Sequence, residues 1–245
     1  MSLALPRRAS AEFAGTALLV AAVVGSGIAA ARLSPTDTGL QLLENAIATA
    51  LALGALILIF GPVSGAHFNP VVSAVDWWIG RRAGTGLTGR DLAAYVPAQI
   101  GGAIAGAVLA DLMFGLPAVA WSRTGRAGGN LWLAEAVATT GLILLVFALA
   151  RSGRTSAAPA AVGAWIGAAY WFTSSTSFAN PAVTIGRAFT DTFAGIAPAS
   201  VPGFVAAQLA GGLVATAALA VWYPHAADTA DAVVVPHLAP EAEAR

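Results

Sequence analysis

Ser64-Gly65-Ala66-His67-Phe68-Asn69-Pro70-Val71-Val72 and Thr176-Ser177-Phe178-Ala179-Asn180-Pro181-Ala182-Val183-Thr184 read as two versions of one motif. Asparagine is a favoured helix N-cap, and proline is favoured at the first helical position. A helix is therefore expected to start at each Asn-Pro. The apolar stretches that follow, 69–79 and 180–189, are too short to cross a bilayer, which takes about 20 helical residues. They read as half-helices that enter the membrane and stop there. Irregular backbone at membrane depth survives only when it is buried in protein or lines water, so the pair suggests an internal aqueous path. A single Asn-Pro is more often an ordinary turn. Two copies placed equivalently in a repeat reverse that reading.

The repeat extends outward from the motif. Ala11-Glu12 is matched by Ala134-Glu135, and Ala98-Gln99-Ile100-Gly101-Gly102 by Ala207-Gln208-Leu209-Ala210-Gly211. The offset is roughly 110–120 residues, the scale of a half-protein repeat. The halves run over about 9–116 and 130–223. Long apolar runs fall at 13–31, 41–60, 92–116, 131–150, 157–175 and 201–222, three per half. An odd number of spans per half puts the halves in the membrane in opposite orientations, so the two short segments enter from opposite sides and meet near the midplane.

Composition agrees with this reading. The 245-residue chain is 58% hydrophobic and only 10% charged, against about 25% charged in soluble domains. Its twelve basic residues, all arginine, balance twelve acidic ones, leaving no net field to attract nucleic acid. With no cysteine and three histidines, a thiolate site is excluded and a histidine metal cluster is not expected, and no cofactor is implied. Arg7, Arg8, Arg81, Arg82, Arg90, Arg151 and Arg154 fall on one side of the bilayer, against Arg32, Arg123, Arg126 and Arg187 on the other. That excess places both termini in the cytoplasm. Residues 224–245 are polar and rich in Ala, Pro, Asp and Glu, and are expected to form a flexible cytoplasmic tail. The first run mimics a signal peptide, but it is longer than one and is followed by five more spans.

The paired half-helices carry a chemistry. Each helix N-terminus bears about half a positive charge, so two facing ends repel cations. The amides of Asn69 and Asn180 can donate to a passing oxygen. Carbonyls of Gly65, Ala66 and His67, and of Thr176, Ser177 and Phe178, would supply acceptors along the way. Central donors between acceptor ladders suit small neutral polar molecules.

These residues make the chain resemble the aquaporin and aquaglyceroporin family. The resemblance runs from Glu12 to Trp222. It rests on Glu12 with Gly15-Thr16, the stretch from Ser64 to Pro70, Gln99, Glu135, and Asn180-Pro181-Ala182. It implies an all-α membrane protein of one channel domain (1–245) with the aquaporin fold: six transmembrane helices plus two re-entrant half-helices in an inverted repeat. It also implies one pore per subunit, a homotetramer in the cell's inner (plasma) membrane, and a passive channel rather than an enzyme.

The departures from the family matter for the solute. The first motif ends in Val71 where alanine is usual. Three residues after the second asparagine the family usually has arginine, and here the residue is Val183. Counting along the resemblance places the other constriction positions at Thr49, Ala168 and Ser177, or at Tyr170 or Trp171 if the count at Ala168 shifts. The set Thr49, Ala168, Ser177 and Val183 has no charge and no aromatic, and predicts a mouth wide enough for glycerol and for arsenous acid, As(OH)3, as well as water. The valine gives a resemblance to bacterial aquaglyceroporins associated with arsenic detoxification.

Several residues carry two readings. Glu12 and Glu135 are either proton-relay carboxylates or braces for the adjoining loops, and their symmetry favours bracing. His67 either gates by protonation or braces its loop. Arg187 either partly replaces the missing arginine or snorkels to the outer headgroups. Gly102 and Gly106, and Gly163 and Gly167, are spaced for close helix crossings. The competing functional classes are a water-selective aquaporin, a proton-coupled secondary transporter that also uses inverted repeats, and a closed membrane scaffold.

Overall fold

The computed structural model describes residues 3–223 and Val233; the described residues form helices, turns and loops with no strand. The tail expected over 224–245 lies outside them apart from Val233, which is buried. Eight α-helices follow in order: α1 Leu5–Leu33, α2 Thr38–Ser64, α3 Pro70–Gly80, α4 Gly89–Met113, α5 Gly129–Arg151, α6 Ala158–Phe172, α7 Pro181–Gly186 and α8 Val201–Trp222. The helix starts follow from local chemistry. Pro6 sits in the first turn of α1, and Asp37 accepts from the Leu40 amide to cap α2. Thr88 and Asp91 form a reciprocal capping box on α4, which satisfies otherwise orphaned amides.

The helices α1, α2, α4, α5 and α8 are long and apolar enough to span a bilayer. The sixth expected span is shorter: α6 has 15 residues, preceded by the 3-10 turn Thr155–Ala157. The two half-helices appear where expected. α3 has 11 residues and α7 has 6, continued by the 3-10 turn Arg187–Phe189. At 1.5 Å per residue α3 is only about 16 Å long, about half the hydrocarbon thickness.

Contacts at the helix ends establish the inversion. Arg8 at the start of α1 pairs with Asp91 at the start of α4, and Arg32 at the end of α1 donates to the Phe114 carbonyl just past α4. α1 and α4 therefore run parallel. Trp132 near the start of α5 lies against Gly203 near the start of α8, so these two also run parallel. Gly27, late in α1, lies against Ala194 in the loop before α8. The end of the first parallel pair thus shares a face with the start of the second, and the halves are upside down relative to one another.

Close crossings hold each half together. A Cβ on Gly102 would stand 2.3 Å from the Phe13 carbonyl oxygen, and one on Gly106 2.1 Å from that of Ala17. Only glycine lets α4 approach α1 this closely, as the four-residue spacing predicts. Gly163 on α6 makes the same approach to Ala50 on α2, at 2.6 Å from its carbonyl oxygen. Burial is inverted relative to a soluble protein. Glu12, Gln99, Glu135 and Gln208 are fully buried, while Leu51, Leu58, Leu213 and Trp222 are exposed. The polar atoms face inward because the outer solvent is hydrocarbon.

Candidate functional site

The site is assembled from two loops, each braced by one buried carboxylate. Glu12 accepts from Ser64 Oγ (2.6 Å), the amides of His67 (3.0 Å) and Phe68 (2.7 Å), and Gln99 Nε2 (2.8 Å). Glu135 accepts from Ser175 Oγ (2.6 Å), the amides of Phe178 (2.8 Å) and Ala179 (2.8 Å), and Gln208 Nε2 (2.6 Å). Each carboxylate thus takes four hydrogen bonds, two of them from backbone amides that it turns away from the path, which leaves the carbonyls of those peptides, Ala66 and His67 in one loop and Ser177 and Phe178 in the other, free to face it. The bracing role is the one the geometry shows. The partner of Ser64 is Ser175, one residue earlier than the motif pairing suggested, because the register is set by the two asparagines.

The loops adopt strained backbone in the same pattern. Gly65, Ala66 and Phe68 have φ of 87°, 52° and 50°, and their counterparts Thr176, Ser177 and Ala179 have 60°, 48° and 49°. Left-handed backbone is costly for non-glycine residues, most of all for β-branched threonine. It persists here because the two glutamates over-determine the loop geometry.

Asn69 caps α3 by accepting from the Val71 amide (3.0 Å), and Asn180 caps α7 by accepting from Ala182 (2.9 Å) and Val183 (3.3 Å). Their amide nitrogens cross over. Asn69 Nδ2 donates to the Ala179 carbonyl and Asn180 Nδ2 to the Phe68 carbonyl, both at 2.8 Å. The crossed bonds lock the half-helix ends tip to tip. Each amide keeps a second N–H, and that is the donor left for a solute. Pro70, Pro181 and Ala182 are buried in the first turns behind these caps. The extra bulk of Val71 is accommodated by Gly212 on α8, where a Cβ would stand 2.7 Å from Val71 Cγ1.

A narrow cavity of about 60 Å³ runs past the asparagines. Ala66, His67, Phe68 and Asn69 line it from one loop, and Ser177, Phe178, Ala179 and Asn180 from the other. Gly65 and Thr176 are not among its lining residues, contrary to expectation. Gly65 is the left-handed cap of α2, and the Thr176 amide is tied to the Thr173 carbonyl. Phe68 and Ala179 line the cavity as well, with their carbonyls engaged by the crossed asparagine bonds. His67 Nδ1 lies 3.1 Å from Ser73 Oγ, and its ring meets Tyr95 edge-on. That is the position of a brace.

Of the four expected constriction residues, Thr49, Ser177 and Val183 line the cavity. Ala168 does not: it is exposed on the outer face of α6. Two residues on, Tyr170 is buried and faces the cavity, with its hydroxyl 3.1 Å from Thr49 Oγ1. The error lies in the phase of α6, since neighbouring helical positions point about 100° apart. The mouth is therefore not free of aromatics. Nor is it free of charge, because Arg187 is buried and lines the cavity. Its guanidinium carbon sits 3.4 Å from the Phe178 ring centroid, and its Nε donates to the Ala194 carbonyl. It packs inward rather than reaching out to headgroups. Arg126 approaches the same ring at 5.2 Å and donates to the Gly195 carbonyl at 2.9 Å. Burial lowers the pKa of Arg126, which lies in the loop outside the membrane. Ser177 Oγ is buried with no protein partner among the described residues, so it is available to a solute.

An inverted repeat whose two capped half-helices meet beside a lined cavity defines a membrane channel. The chain belongs to the major intrinsic protein family, whose signature it matches over residues 1–177. It is 54% identical over 213 residues to aquaglyceroporin AqpS of Rhizobium meliloti (strain 1021), which covers 87% of this chain and 88% of that protein. It is 31% identical over 224 residues to the probable aquaporin AqpM of Archaeoglobus fulgidus, covering 80% of this chain and 88% of that one. The X-ray structure of the aquaglyceroporin from Plasmodium falciparum superposes with a TM-score of 0.64 at 19% identity, covering 91% of this chain and 98% of that chain. That last likeness is one of fold. The chain is a channel and not an enzyme.

Proposed function

We propose that the chain is a passive aquaglyceroporin that conducts water, glycerol and arsenous acid. The observation that carries this reading is Val183. It lines the cavity one turn outward from Asn180, where a long cationic side chain would narrow the path. Its relative AqpS is named an aquaglyceroporin. Arsenous acid is neutral below its first pKa and displays hydroxyls much as a small polyol does. The donors at Asn69 and Asn180, the Ser177 hydroxyl and the apolar walls at Val72, Leu142 and Ile166 suit such a solute: hydroxyls exchange hydrogen bonds while the carbon or arsenic body slides past. The functional unit is one channel domain over 1–245, assembled as a homotetramer in the cell's inner membrane with both termini in the cytoplasm.

A second reading, a water-selective pore, is favoured by one feature. The bond between Tyr170 and Thr49 draws two walls together at the mouth. Uptake distinguishes the two. Cells producing the chain should accumulate arsenous acid and glycerol faster than cells without it; faster water flux alone would favour the second reading.

A further inference from the structure

We infer that Arg187 is the cation barrier of this pore, placed one helical turn outward from Val183. Arg187 opens the 3-10 turn that continues α7, four residues after Val183, and both line the cavity. α7 leads away from the paired asparagines, so Arg187 stands about 6 Å further along the path than Val183. The inference rests on the channel reading above.

Arg187 is only 2% exposed. An arginine buried this deeply is expected to have a carboxylate partner. Among the described residues the ion pairs are Arg8 with Asp91 and Arg123 with Asp191, and neither includes Arg187. Its charge is held instead by neutral groups. The Ala194 carbonyl takes Nε, and the face of Phe178 takes the guanidinium plane. Both hold the cation without cancelling its charge. Phe178 itself is fixed by Glu135 through its backbone amide, so the position of the charge is set by the same brace that shapes the loop. Arg126 adds a second guanidinium on the same ring. A cation entering from this side meets that positive field before it reaches the half-helix ends, which are positive as well. A neutral hydroxyl meets free N–H donors instead, because the bonds described occupy only Nε.

The test uses the full chain in liposomes, with a trapped pH dye for protons and a trapped fluorescent indicator for potassium. Insertion is checked by size-exclusion elution and circular dichroism, and glycerol flux is measured in the same vesicles. Arg187→Gln should leak both cations at least about tenfold faster than the native chain. Arg187→Lys keeps the charge and should stay tight. Adding Val183→Arg to Arg187→Gln should restore tightness from the neighbouring turn. A well-inserted Arg187→Gln chain that leaks no faster than native overturns the inference. So does equal leakage from the Lys and Gln chains, or failure of both to insert, since either result makes Arg187 a structural pin for the Ala194 loop. A native chain that carries neither glycerol nor arsenous acid would refute the proposed function while the cation comparison still decides the role of Arg187.

Discussion

Val71 and Gly212 are cut to fit each other: a Cβ on Gly212 would stand 2.7 Å from Val71 Cγ1. The unusual residue of the first Asn-Pro motif is thus compensated on another helix. Gly212→Ala should destabilise the folded channel by about 1–3 kcal/mol through overpacking, although alanine is the better helix former. Val71→Ala in the same chain should recover most of that loss. Thermal unfolding in detergent of the two single variants and the double variant measures the coupling.

The glutamate braces should fail alike. In Glu12→Gln or Glu135→Gln an amide NH2 replaces one carboxylate oxygen and faces N–H donors: Phe68 N–H and Gln99 Nε2 in one half, Ala179 N–H and Gln208 Nε2 in the other. The glutamines keep a second acceptor in Ser73 Oγ and Thr184 Oγ1, so the loss falls on the backbone amides. Unpaired buried donors cost about 1–3 kcal/mol each. Both variants should lose folded yield by size exclusion and lose solute flux in liposomes. A variant that folds and conducts normally but loses a proton coupling present in the native chain would instead revive the transporter reading.

The phase of α6 separates two neighbouring positions. Tyr170→Phe removes the hydroxyl that meets Thr49 at 3.1 Å, and should speed glycerol flux by about two- to fivefold by freeing one wall of the mouth. Ala168→Leu should leave flux unchanged, because that side chain points away from the cavity. Stopped-flow light scattering on both variants checks the assignment.

On the outer face, Asp191 straps two loops together. Its carboxylate accepts first from the Arg123 amide and then from the Arg123 guanidinium, and both hold its pKa below the ordinary value. A depressed folded pKa adds stability above the unfolded value, about 3.9 for aspartate. That contribution is lost as pH falls through the folded value. Between pH 5 and 8 the strap should be constant. Unfolding midpoints followed down to about pH 3 should fall less steeply for Asp191→Asn than for the native chain.

Most of the fold was legible because its signals are local. Asn69-Pro70 and Asn180-Pro181 announce their own helix starts, and α8 runs over the residues its apolar stretch marked, Val201–Trp222. Glu12 and Glu135 are readable as braces from their symmetric placement together with the family resemblance. The misplaced details all depend on geometry between elements. Ala168 was misassigned because apolar residues all around α6 conceal which face turns inward. Gly65 and Thr176 share the left-handed backbone of Ala66 and Ser177, which do line the cavity, so local conformation does not separate them and only their place at the far end of each loop does. The stacking of Arg187 on Phe178 joins two loop segments through a side-chain contact, and neither residue's neighbours in sequence signal it.

The central claim is that Val183 leaves this pore open to solutes larger than water. Its most direct test is arsenous acid and glycerol permeability in liposomes carrying the native chain or Val183→Arg, with water flux measured alongside. The native chain should pass both solutes rapidly, and the arginine should suppress them by about tenfold or more while sparing water. Rapid water flux through the native chain with neither larger solute passing would contradict the account.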